Sequence, residues 1–340
     1  MPTSTLVSIV VMVLIAVVVV VYTRVLRKKM GGMPGQAPLG GPEAARVRAD
    51  LKRGDLASLK QLLSQGGPDD RDFFCDLLAG QVRQPLVDQW CNAEPDSALA
   101  HLVRGRALME RAWDARGHGT ADSVDDRGWE RFFEYLRQAE QELEQAAGLD
   151  PGDATPWAYL IEVARGLQQD KEVAQQRFRE AAQRDPAHWG AHSQMLSFLC
   201  EKWHGSHDEM FDFARQASTR AGEGSDLGTL VIKAHIERWL YFSFDEDEKG
   251  AATYLKDPKA IQECQAAYDR SLASPQLRPR RSTILARNAA AMWFFLVRDK
   301  QRLRLEIAQI GNAYSTSPWC YYDDAARAYG EASQYAYGVL

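Results

Sequence analysis

Two series of apolar residues return every 35 residues in the middle of this chain. Leu143, Phe178 and Phe213 form one series; Ala147, Ala182 and Ala217 form the other. Asp150-Pro151 and Asp185-Pro186 break the chain between the first units. A repeat of this length holds one supersecondary unit that cannot bury its apolar face alone, so the units must stack. The residues within a unit have helical spacing. Ala191, Met195, Phe198 and Leu199 precede the turn Trp203-His204-Gly205-Ser206, and Met210, Phe213, Ala214 and Ala217 follow it. Ser206 and Glu209 have the capping-box pattern, in which a serine oxygen takes the third amide and a glutamate reaches back. Pro186 stands after Asp185 as a first-turn proline stands after an N-cap. The expectation is a helical hairpin with Met210 and Phe213 in its core.

Residues 5–23 contain a nearly unbroken apolar run, Leu6 to Tyr22, followed at once by Arg24, Arg27, Lys28 and Lys29. The length suits one membrane-spanning helix of about 17–25 residues. The positive charges behind it place the N-terminus outside and the rest in the cytoplasm, as a single-pass cell-membrane protein. A cleaved signal peptide would need a basic n-region and a small-residue cleavage site, and neither is present. Residues 24–42 are basic and then Gly/Pro-rich, a flexible linker. Residues 43–94 read as N-terminal helices: Ala45 to Lys52, then a helix capped by Asp55 with Leu56, Leu59, Leu62 and Leu63, then one opened by Asp69 or Asp70 with Phe73, Phe74, Leu77 and Leu78. Repeats fill 95–315, with Gly117 to Asp126 as an insertion. Residues 316–340 form a C-terminal cap and tail, with a short helix from Pro318 through Ala328. No stretch alternates with period two, so the fold class is all-α.

Ala139-x3-Leu143-x2-Ala146-x4-Pro151 and Ala174-x3-Phe178-x2-Ala181-x4-Pro186 resemble the second helix of the tetratricopeptide repeat. Trp157 and Leu160 fall where its first helix carries Trp and Leu, and Gly105 where it carries a small residue. The run Trp203-His204-Gly205-Ser206-x3-Met210-x2-Phe213-Ala214 is similar to the signature of a bacterial tetratricopeptide-like family of unassigned function, with His204 where that family has glycine. Tyr254 to Pro258, Ala266-Ala267-Tyr268 and Asn288 to Gly311 are similar to it as well. The resemblance implies a helical-hairpin solenoid and supplies no catalytic residues.

Composition narrows the function classes. The net charge of −5 lacks the basic excess of a nucleic-acid surface. Five scattered cysteines without a CxxC fit reduced, packed thiols, Cys200 among them. No Gly-rich phosphate loop, GxSxG elbow or dinucleotide fingerprint occurs, and no cofactor is expected. His188 and His192 at i, i+4, with His204 and His207 beyond, have ligand-like spacing without an HExxH or a Cys pair. They are the sole support for an alternative, a membrane-tethered enzyme or metal-binding protein. Asp245 to Glu248 and the basic Arg278, Arg280 and Arg281 read as loops between helices, the latter a possible contact for anionic lipid heads. The expected function is a membrane-anchored scaffold binding a protein or peptide on its concave, first-helix face. Tyr159, Glu162, Arg165, Gln194, Lys233 and Glu237 are the candidate contacts. A self-assembling structural role is the third class.

Overall fold

The computed structural model describes residues 39–117, 124–244, 247–322 and 324–338. Among them are seventeen α-helices and no strand. Residues 5–23, expected to span a membrane, lie outside the described residues; among those described, no helix is long and apolar enough to cross one. Most of the expected insertion, 118–123, and the acidic Asp245-Glu246 also lie outside.

Three helices open the fold: α1 (Gly41–Arg53), α2 (Ala57–Gln65) and α3 (Pro68–Leu78). α1 begins inside the expected linker, because Pro42 occupies its first turn, where a missing N–H costs nothing. Leu56, expected within α2, is its N-cap, so Asp55 stands one residue before the expected capping position; its carboxylate accepts from the Ala57 amide at 2.8 Å. After α4 (Gln84–Ala93) come three successive hairpins: α5 (Ala98–Arg116) with α6 (Asp126–Leu149), α7 (Thr155–Gly166) with α8 (Lys171–Arg184), and α9 (Trp189–Phe198) with α10 (His207–Ala221). The first helices touch in order, α5 to α7 to α9 to α11 (Leu230–Phe244). α12 (Glu248–Tyr254), α13 (Pro258–Arg270), α14 (Thr283–Leu296) and α15 (Lys300–Ile310) complete the stack.

The 35-residue series lies on the second helices, and its members do different work. Leu143 is fully buried. A Cβ added to Gly105 of α5 would lie 2.7 Å from Leu143 Cγ, so the small residue is what lets α5 and α6 approach. Phe178 and Phe213 meet edge to face, centroids 5.2 Å apart. Phe213 is half-buried, a correction to the expected core position; Met210 beside it is fully buried. The hairpin turn is dictated by its backbone. The Trp203, His204 and Gly205 amides donate to the carbonyls of Cys200, Phe198 and Cys200. A Cβ on Gly205 would overlap the Leu199 carbonyl. The His204 ring stacks on Phe198 at 4.5 Å, a packing contact that a glycine there could not make.

Capping corrects the reading at α9. The helix starts at Trp189, and His188 is its N-cap, with Nδ1 accepting from the Ala191 amide at 3.1 Å. Asp185 instead holds the turn through the Ala187 amide. Ser206 caps α10 through the Glu209 amide at 3.2 Å. The Glu209 carboxylate accepts from Ser206 Oγ at 3.4 Å and pairs with Lys171.

The C-terminal helix also differs from its expected span. α16 (Thr316–Trp319) is one turn, and α17 (Ala325–Tyr337) follows after a break. Asn288 explains the break. Its Oδ1 accepts from the Ser315 amide at 3.2 Å and from Trp319 Nε1 at 2.9 Å, pinning the segment so that Trp319 is fully buried. α17 then lays Ala328, Tyr329, Ala332 and Ala336 inward, largely against α15. The buried side chains form two clusters that share α7. Tyr159, Leu160 and Val163 join the N-terminal cluster, while Ala158, Ile161 and Ala164 join the C-terminal one.

Candidate functional site

The six predicted contact residues stand on the first helices α7, α9 and α11, and little of their surroundings is open. Tyr159 is buried, and its hydroxyl donates to the Asp72 carbonyl at 2.9 Å, so α3 covers this end of the face. Glu162, Arg165 and Gln194 form one cluster. Arg165 Nη1 donates to Gln194 Oε1 at 3.1 Å, and Gln194 Nε2 donates to Glu162 Oε2 at 2.7 Å. The Glu162 and Arg165 side chains are each 11% exposed, so they are not ordinary solvated helix positions. Lys233 donates to Ser193 Oγ. Glu237 accepts from Lys202 Nζ at 2.7 Å and from the Tyr321 hydroxyl at 2.8 Å, so the segment after α16 covers the other end.

Burial and pairing set the charges on this face. Burial pulls the Lys233 ammonium below the usual lysine range, against the attraction of Glu237. Burial pushes the Glu237 carboxyl up, but Lys202, Lys233 and the Tyr321 hydroxyl together hold it below its ordinary range. An anion there is therefore compensated by cations on two sides, as a buried charge must be.

The structure adds residues that sequence reading missed. Arg165 lies over Trp203 at 5.3 Å and over Trp113 at 5.7 Å, the two indoles meeting edge to face at 6.3 Å. Trp113 sits just before the expected insertion, outside the recurring positions, so no repeat pattern marks it. Trp203 is legible in the sequence as part of the turn, and its contact with Arg165, 38 positions away, has no local signal. Among the described residues, Trp113 Nε1 and Arg165 Nε are buried donors without a hydrogen-bond partner. The arrangement offers a guanidinium beside two indoles that meet edge to face, with flanking carboxylate and ammonium groups.

The four histidines do not converge on a common point: they make no group of three close ligand atoms among the described residues. His188 Nδ1 is used in its cap, and His192 Nδ1 meets the His188 carbonyl at 3.0 Å. His204 Nε2 faces the Arg165 carbonyl, and His207 Nε2 lies 2.9 Å from Glu201. Burial pulls His192 down to about 4. Its ring lies edge-on to Phe178 and 6.1 Å from Phe213. These three line a second concavity of about 540 Å³ on the second-helix side, rimmed by Arg220, Arg278 and Arg280. Arg280 and Arg281 are already engaged: Arg280 with Asp185 and Asp69, Arg281 with Asp70 and Glu43. The three arginines lie between α13 and α14, as an inter-helix loop was expected to, and the carboxylate pairing of Arg280 and Arg281 occupies two of them. No protein-family model matches the chain, and no curated protein aligns significantly with it.

Proposed function

We propose that this chain is a tetratricopeptide-like helical scaffold, held at a cell membrane by residues 5–23, that recruits a protein or peptide partner on the cytoplasmic side. The observation that carries the reading is the Trp113–Arg165–Trp203 cluster, a guanidinium packed beside two indoles that meet edge to face. Aromatic and arginine side chains are the types that dominate binding energy at protein interfaces. The short linker after the anchor would keep a captured partner at high local concentration near the bilayer.

The test is capture of partners from native membranes by the full chain, compared with the Glu162→Lys/Arg165→Glu variant. The exchange keeps a charge pair at i, i+3 while removing the guanidinium from beside the two indoles. Loss of capture with helical circular dichroism retained supports the face; undiminished capture removes it from the proposal. The orientation is tested separately, by cysteine labelling from outside intact cells. A cysteine at Thr3 should react and one at Gln36 should not; labelling at Gln36 alone would overturn the topology.

A further inference from the structure

Away from that face, three side chains from three helices meet: Cys91 of α4, His101 of α5 and Glu142 of α6. One ligand atom of each lies within 4.8 Å of the other two, with Cys91 and His101 buried and Glu142 half-buried. We propose that these residues form a zinc-type metal site, with the thiolate of Cys91, Nδ1 of His101 and one carboxylate oxygen of Glu142 as ligands.

The histidine geometry argues for it. His101 Nε2 lies 2.9 Å from the Pro95 carbonyl, which can only accept, so Nε2 carries a proton. A backbone carbonyl on the far nitrogen is the usual support of a metal-bound imidazole, fixing its tautomer and aim. The lone pair of Nδ1 is then directed at Glu142 Oε2, 2.7 Å away. Two acceptors at that distance need a cation between them, and a proton or a metal ion can fill that role. Arg104 donates to the other Glu142 oxygen, which leaves one oxygen for the metal. Arg104 also lies 3.9 Å from Asp88, which offsets its charge near the site.

Charge balance permits the exchange. The Cys91 thiolate and the Glu142 carboxylate carry two negative charges, which one divalent ion balances with the imidazole neutral. Zinc bonds of about 2.0–2.3 Å put tetrahedral ligand atoms roughly 3.3–3.8 Å apart. The His101–Glu142 edge must therefore open slightly, and water completes the fourth position. One soft sulfur with one imidazole and one carboxylate selects zinc or cobalt over magnesium or calcium. The partly exposed edge of Glu142, 15% accessible, is the way in.

The test titrates the purified full chain in detergent, stripped of metal, with Co²⁺ and follows absorbance. One Co²⁺ per chain is expected, with a thiolate-to-cobalt charge-transfer band that Zn²⁺ abolishes. Cys91→Ser should remove the band. Glu142→Gln, which keeps a side chain of the same shape, should weaken binding at least tenfold with the helical signal intact. If the wild-type chain shows no charge-transfer band, or if the band survives in Cys91→Ser, the site is overturned and the cluster is a proton-sharing His–Glu pair.

Discussion

His192 shows how one buried residue makes stability depend on pH. Its folded value of about 4 lies below the ordinary histidine value, so between roughly pH 6.5 and 4 the unfolded chain binds a proton that the folded chain does not. Stability from this group is therefore complete above pH 6.5 and declines as pH falls. At pH 5 the loss amounts to about 2 kcal/mol. Urea denaturation at pH 7 and 5 should show this decline, and His192→Phe should flatten it by about that amount. An unchanged pH slope in the variant would place the acid sensitivity elsewhere. Phe213 is the second case. A fully buried phenylalanine replaced by alanine costs about 3–5 kcal/mol, but this ring is half-buried at the edge of a concavity. Phe213→Ala should cost about 1–2 kcal/mol by the same measurement, because only part of the ring's area leaves water on folding. A loss above 3 kcal/mol would mean that the concavity closes in solution.

At the scale of the element, the first hairpin depends on a glycine in mid-helix. Gly105 gives up helix propensity worth about 1 kcal/mol relative to alanine, and the close approach of Leu143 is what it gains. Gly105→Ala therefore sets improved propensity against overpacking of about 1–3 kcal/mol. The two sites should be coupled. In a double-mutant cycle, Gly105→Ala should be less damaging in a Leu143→Ala background, with an interaction of about 0.5–3 kcal/mol. Additive behaviour would mean that the helices separate freely at this contact. The hairpin turn before α10 follows the same logic. Gly205 is required because the Leu199 carbonyl occupies the space of a side chain, and Ser206 then caps the next helix.

Across the whole molecule, the loop before α14 ties distant segments together. The Ser282 amide donates to Asp69 at 3.1 Å, Arg281 Nε donates to Asp70 at 3.0 Å, and Arg280 joins Asp69 to Asp185. Arg281 also lies over Phe74 at 5.0 Å. These contacts bring the N-terminal helices against the C-terminal half of the stack. Charge-assisted hydrogen bonds of this kind contribute about 1.5–3 kcal/mol each when shielded. Arg280→Ala should lower stability by about that amount. It should also speed amide exchange in α1 to α3 more than in α15, as measured by hydrogen–deuterium exchange. Equal protection in both regions would mean that the clasp does not hold the N-terminal helices.

The sequence by itself determined the helical class and the identity of the paired helices. It also determined the turn at Gly205 and the small residue at position 105. Those follow from the 3.6-residue period and from local sterics, which act within a few turns of chain. It also picked out residues that share one face, since Glu162, Arg165 and Gln194 do bond to one another. Exposure was the part that only the tertiary structure decided. Tyr159 is covered through a hydrogen bond to residue 72, and Glu237 through one from residue 321. Arg280 and Arg281, read as part of a basic inter-helix loop, are paired with carboxylates more than 90 positions away. A helical period says which residues face the same way. What lies opposite them depends on how the whole chain returns on itself, and pairings over such separations leave no periodic trace in the sequence.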